Sequence, residues 1–214
     1  MASTSALAPA TLRRRAVAHL RGADPVLAAL IDRVGPCRWV VRDGVEPFAA
    51  LASSIVYQQI SGKAAAAILA RVNALGGGGR LRPAHVVAAT DEALRACGLS
   101  RQKIAYLRDL AAHARRGRRL VGLHGLEDEA VIERLTVVKG IGRWTAEMFL
   151  MFRLGRPDVL PVDDYGIRKA MQGAYRMRVL PKPDRMRRVA EAWRPYRTIA
   201  CWYLWRSVDG AAGG

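Results

Sequence analysis

Asp163 and Asp164 stand side by side at the start of a helical run, one short loop and one helix after a Lys139-Gly140-Ile141-Gly142 turn. One Asp is enough to cap a helix, so a tandem pair exceeds what capping requires. An ionised carboxylate beside a bound phosphodiester is also ill suited to plain backbone binding. Its natural use is to stabilise positive charge developing on a sugar. In N-glycosidic cleavage the ribosyl carbon becomes oxocarbenium-like, and a carboxylate beneath it stabilises that charge and guides the attacking water. Residue type alone does not separate the two carboxylates.

The turn suggests where an anion sits. Gly140 and Gly142 allow positive φ and the close approach of another backbone. A helix opening at Arg143 would point free N–H groups and its positive dipole end outward. A helix over 127–135 precedes the turn and one over 143–154 follows it. The unit is therefore helix, hairpin, helix, a way of gripping a DNA backbone without reading sequence. G-I-G turns also serve as plain connectors, so the turn gains meaning only beside the carboxylates. The loop 155–161, with Pro157 and Pro161, is short and stiff and delivers Asp163-Asp164 to the next helix.

These residues need elements to hold them, and periodicity predicts an all-α architecture of about ten short helices. A basic helix is expected from Pro9 to Leu20, and Asp24-Pro25 should cap a second over 26–34. Cys37 to Val41 reads as an extended linker because Gly44 and Pro47 follow closely. Pro47 starts a largely apolar helix that runs to Gln59, where Tyr57-Gln58-Gln59 precede a turn. A Gln pair at a helix end is ordinarily a solvated surface; as a polar plug it would offer a donor and an acceptor to base edges. Helices over 63–75, after Thr90 and after Ser100 follow, the last with an apolar stripe at 104, 107, 110 and 111 and a basic run at 113–119. Gly76 to Gly79 lacks the ending of a phosphate-binding loop. A helix near Arg185 and a final one over 196–207 close the chain. The final helix gathers Tyr196, Trp202, Tyr203 and Trp205, either as core or with one ring stacking on a planar ligand.

Bulk properties agree with a polyanionic partner. The 214 residues carry 35 Lys and Arg against 18 Asp and Glu, a net +17, and Arg suits bidentate phosphate contacts. Nucleic acid, an acidic membrane surface and the ribosome all fit that charge. Cys37, Cys97 and Cys201 are widely spaced and read as buried thiols in a reducing compartment, with no metal, redox or iron-sulfur spacing. His19, His85, His113 and His124 show no metal spacing either. The acid-free first 22 residues read as a frayed tail leading into the first helix. No run of about 18 apolar residues exists, so no membrane span is expected.

Leu135 to Lys169, LTVVKGIGRWTAEMFLMFRLGRPDVLPVDDYGIRK, resembles the helix-hairpin-helix plus Gly/Pro-Asp signature of the DNA glycosylase superfamily, most like AlkA-type 3-methyladenine DNA glycosylase II. The likeness extends upstream through Ile55 to Gln59 and downstream from Trp193 to Trp205, about three quarters of the chain. An additional amino-terminal sheet domain of longer members has no counterpart. The resemblance implies a compact single helical domain over 1–214. One lobe would span about 47–160, and the other the N-terminal helices plus 161–207, with a cleft between.

By resemblance Asp164 is the catalytic carboxylate, chosen over Asp163 because Ile167 lies three residues after it. Trp144 stands where bifunctional relatives have a Schiff-base Lys, which implies a monofunctional enzyme using water. Trp144, Met148, Trp205 and Tyr57 would line the pocket for an extruded base; alkylated bases are cationic and attracted to aromatic faces. Gln59, with Gln58 beside it, would fill the gap left by the flipped nucleotide. Lys139, Gly140, Gly142, Arg143 and Thr145 would bind DNA. Main-chain carbonyls of Thr136, Val138 and Ile141 would hold a structural Na+ or K+, and no cofactor is required. The implied function is removal of an alkylated purine, 3-methyladenine or 7-methylguanine, from duplex DNA. Alternatives are a glycosylase for ethenoadenine, hypoxanthine or uracil, and a non-enzymatic lesion-binding protein. The expected state is a monomer acting on damaged double-stranded DNA in the bacterial cytoplasm, at the nucleoid.

Overall fold

The computed structural model describes residues 6–42, 44–115 and 120–209. Positions 116–119 of the expected basic run lie outside the described residues. The described chain is helical, with twelve α-helices and one two-residue strand pair. Ala6–Leu7 (β1) pairs antiparallel with Val40–Val41 (β2). The expected extended linker at 37–41 thus ends in a short strand, because the Val40-Val41 backbone finds a partner more than thirty residues upstream. The chain divides into two compact units: residues up to Asp43 with those from Leu150 onward, and Gly44–Phe149. The division falls at 149/150, earlier than the lobe boundary drawn near 160 from sequence.

In the first unit, α1 (Ala10–Ala23) and α2 (Pro25–Val34) form a helical pair. With them go α10 (Tyr165–Ala174), α11 (Pro183–Ala190) and α12 (Arg197–Asp209). Asp24 starts α2 as the sequence predicts: its Oδ1 accepts from Val26 N (2.9 Å) and Leu27 N (3.2 Å), with Pro25 in the first turn. Its other oxygen accepts from Tyr175 Oη (2.5 Å) and Trp193 Nε1 (2.8 Å). Burial and the Asp24 carboxylate together push the Tyr175 phenol far above its ordinary value, so it remains a donor. Leu20, Leu27 and Trp193 are fully buried around this hub. Asp24→Ala removes a cap worth about 1 kcal/mol and strands a buried donor on Trp193 and a part-buried one on Tyr175, at roughly 1–3 kcal/mol each. Urea unfolding should therefore show a loss of about 3 kcal/mol or more.

The second unit begins with α3 (Pro47–Tyr57), which buries Phe48, Leu51, Ala52, Ile55 and Val56. It packs on α7 (Arg101–Arg115), whose stripe Ile104, Leu107, Leu110 and Ala111 is buried as its periodicity predicts. α4 (Gly62–Ala74) packs on α3, while α5 (Pro83–Ala88) and α6 (Asp91–Ala96) lie against α7. α5 was not anticipated; six residues are too few for a periodic signal, and it is held by packing of buried Val86 and by contact with α7. The unit ends in α8 (Asp128–Thr136), the hairpin, and α9 (Arg143–Phe152), within which the division falls. α3 stops at Tyr57, two residues short of the expected end, and Gln59 takes a left-handed backbone (φ 58).

Candidate active site and nucleic-acid interface

The two carboxylates that sequence left open differ in the first unit. Asp163 is exposed, whereas Asp164 is 8% exposed. Asp164 is the N-cap of α10: its Oδ1 accepts from Ile167 N at 2.7 Å and from Trp205 Nε1 at 3.0 Å. Two N–H donors on one oxygen fix the orientation of the carboxylate. Gly166 keeps this corner open, since a Cβ there would stand 3.1 Å from Asp164 Oδ1 and 3.2 Å from the Trp205 ring. Trp205 is half-buried and packs against Phe152 at 5.8 Å between ring centroids, while Tyr203 is core, its hydroxyl donating to Gly35 O. Of the aromatic cluster on α12, Trp205 is therefore the ring tied to the carboxylate.

The loop that leads to Asp164 is held by more than its prolines. Arg197 clasps Asp158 through Nε to Oδ1 (2.7 Å) and Nη2 to Oδ2 (2.9 Å), and Arg194 adds a third donor at 2.9 Å. Thr198 Oγ1 donates to Arg156 O (2.7 Å) and accepts from Val159 N (3.0 Å). Val159, Leu160 and Val162 are buried beyond it. No local signal marked this staple, because its partners lie some forty residues apart.

In the second unit the hairpin rests on α7. Gly140 has φ +83, and a Cβ there would lie 2.2 Å from Tyr106 Cδ2, so only glycine fits. Lys139 N donates to Asp109 Oδ2 (2.8 Å), leaving the Lys139 side chain exposed. Gln58 Nε2 donates to Gly140 O (2.8 Å), and Lys103 Nζ donates to Val56 O (2.6 Å) and Gln58 O (2.8 Å), closing the end of α3. Burial pulls the Lys103 ammonium below its ordinary value. Lys103, Tyr106 and Asp109 were missed by sequence reasoning; their i, i+3, i+6 spacing beside the apolar stripe was the available signal.

Several of the residues expected to bind DNA also have roles within the fold. Gly142 has no left-handed φ, and a Cβ there would meet no atom within 4 Å, so the fold does not require glycine at that position. Thr145 is 6% exposed and belongs to the packing of α9, because helical periodicity turns it inward beside Ala146. Arg143 is gripped by both oxygens of Glu129 and by Glu147 Oε1 (3.2 Å). The Glu129 bond holds its guanidinium above the usual range and holds the Glu129 carboxyl below, so Arg143 braces α8 against α9 instead of offering a free charge. Gln58 is a tie to the hairpin, and exposed Gln59 is the amide left available. Tyr57 and Trp144 are exposed at 42% and 46%, and Met148 is half-buried, all in this unit. The three cysteines are buried and form no disulfide. Among the described residues no group of three metal-ligating side chains occurs and no helix is long and apolar enough to cross a membrane.

The chain thus carries both a helix-hairpin-helix and an N-capping, indole-bonded Asp. The family model described as "HhH-GPD superfamily base excision DNA repair protein" matches residues 52–195, and the chain belongs to that superfamily of repair enzymes. It is 36% identical over 201 residues to DNA-3-methyladenine glycosylase 1 of Schizosaccharomyces pombe, covering 90% of this chain and 86% of the relative. The solved structure of a DNA-3-methyladenine glycosidase from Bacillus halodurans matches with a TM-score of 0.81 and 40% identity, over 99% and 94% of the two chains. That of the Schizosaccharomyces pombe 3-methyladenine DNA glycosylase in complex with abasic DNA matches with a TM-score of 0.80 and 35% identity, over 91% and 97%.

Proposed function

We propose that the protein is a monofunctional glycosylase that flips an alkylated purine, of the 3-methyladenine or 7-methylguanine type, out of duplex DNA and hydrolyses its N-glycosidic bond. The observation that carries this reading is Asp164, buried and oriented by the Ile167 and Trp205 N–H groups. A base alkylated on a ring nitrogen is already cationic, so its C1′–N bond breaks with the electron pair leaving on the base, without prior protonation. The Asp164 carboxylate offsets the positive charge left on the sugar, and water adds to C1′ as its proton passes to the carboxylate or to solvent. Trp144 in place of an amine supports water as the nucleophile.

The hairpin supports a phosphate grip: its glycine turn is braced from below by Tyr106, Asp109 and Gln58, and Gly142 presents bare backbone. Exposed Gln59, on its left-handed backbone, suits the gap left by the extruded nucleotide. Carbonyls of Thr136, Val138 and Ile141 are neutral oxygen donors of the kind that suit Na+ or K+. Val138 O already accepts Ile141 N–H at 3.1 Å and keeps one lone pair for an ion. Such an ion would supply positive charge toward a phosphate.

The test is incubation with methylated duplex DNA, with release of free 3-methyladenine or 7-methylguanine and strands intact until alkali is added. Binding without release of any base, across a panel that includes hypoxanthine, ethenoadenine and uracil, would sink the enzymatic reading. The Asp158 staple should show itself in the same assay. Asp158→Ala frees the loop before Asp164, and misplacing a catalytic group by about 1 Å costs on the order of 10²-fold. Single-turnover base release should fall by roughly 10- to 100-fold while affinity for abasic DNA is retained.

A further inference from the structure

Residues 168–188 carry eight Lys and Arg against one Asp, a net +7 of the chain's +17 in a tenth of its length. Elsewhere the described arginines are often matched by acids: Arg21 by Asp32, Arg108 by Asp91, Arg143 by Glu129, Arg194 and Arg197 by Asp158. In this segment Asp184 pairs with Arg187, and Arg176, Arg178, Lys182, Arg185 and Arg188 are exposed with no acidic partner among the described residues. Crowding five like charges costs free energy unless a polyanion neutralises them.

The segment is also held in shape. Gln172 Nε2 donates to Arg178 O (3.4 Å), Met177 N to Gln172 O (2.9 Å) and Arg168 Nε to Pro181 O (3.1 Å), folding the turn 176–182 back on the C-terminal end of α10. Arg176 is fixed there with φ 50. α10 begins at the Asp164 cap and has ten residues, so it places the turn about 15 Å from the carboxylate. At about 3.4 Å per nucleotide along one strand, that is roughly four nucleotides.

We propose that the α10–α11 turn and the exposed face of α11 form a second DNA-binding surface, which takes the phosphate backbone of the duplex flanking the lesion. The hairpin belongs to the other unit, so this surface gives the unit that carries Asp164 its own hold on the strand. The proposal rests on the glycosylase reading for its ligand, duplex DNA.

The test is the salt dependence of binding to a 25-base-pair duplex containing an abasic site, for the triple variant R178Q/K182Q/R185Q. None of these side chains makes a hydrogen bond that the fold uses, so thermal unfolding should not change. Each lost phosphate contact lowers the slope of log K against log salt by about 0.9. The triple variant should lose about 2–3 in slope and about tenfold or more in affinity at low salt. A triple with the same charge change on the α1–α2 pair, R14Q/R15Q/R33Q, should leave the slope near that of the wild type. Equal loss in both triples, or no loss in the first, overturns the proposal. Failure of the wild-type protein to bind DNA at any salt would instead remove the glycosylase reading itself, and base release at saturating protein reports on that reading independently.

Discussion

Asp164→Asn is expected to abolish base release from methylated DNA, by about 10²- to 10³-fold or more, with affinity for abasic duplex preserved. The substitution isolates charge. Asn caps helices about as well as Asp, and its carbonyl oxygen can still accept from Ile167 N–H and Trp205 Nε1–H, now held by Asp164 Oδ1 at 2.7 and 3.0 Å. The fold and the indole contact therefore survive, and what disappears is the negative charge that meets the developing cation. Asp163→Asn serves as the internal comparison, because Asp163 is exposed and makes none of these bonds. Single-turnover rates and unfolding midpoints for both variants decide the matter; equal loss of rate from Asp163→Asn alone would overturn the assignment.

Gly140→Ala and Gly142→Ala should separate folding from grip. At Gly140 an added methyl meets the Tyr106 ring and must sit at φ +83. Left-handed strain of about 1–2 kcal/mol and overpacking of about 1–3 kcal/mol predict a clear drop in stability, about 2–5 kcal/mol in all if the terms add. DNA affinity should fall with it as the turn distorts. At Gly142 the methyl meets nothing in the protein, so the unfolding midpoint should hold. A phosphate lying against that bare backbone would be displaced by the same methyl, and affinity for abasic duplex should weaken by roughly tenfold, about 1.4 kcal/mol. Wild-type affinity in Gly142→Ala would show that DNA does not approach there.

Much of the fold was legible before any coordinates. Asp24-Pro25, the stripe on α7 and the capped run after Asp164 are local signals, written in residues three or four apart, and local signals survive tertiary packing. The hairpin and the candidate carboxylate were legible for the same reason: glycine's freedom and an N-cap are properties of a few adjacent residues. Helix ends were read less well. Gln58 and Gln59 looked like the last turn of α3, whereas Lys103 claims the Val56 and Gln58 carbonyls and stops the helix at Tyr57.

The chain by itself determined the all-helical class, the hairpin, the tandem carboxylates and a basic surface, because each is encoded by composition or by neighbours in sequence. Only the tertiary structure set Asp164 apart from Asp163 in burial and bonding, placing one under the Trp205 indole forty residues away and leaving the other in solvent. It likewise turned Arg143 from a free cation into a brace, turned Thr145 inward, and drew Gln58 away from Gln59 to the hairpin. The physical reason is common to all four. Charge, exposure and hydrogen-bond commitment depend on which distant groups arrive alongside, and residue type and spacing carry no record of that.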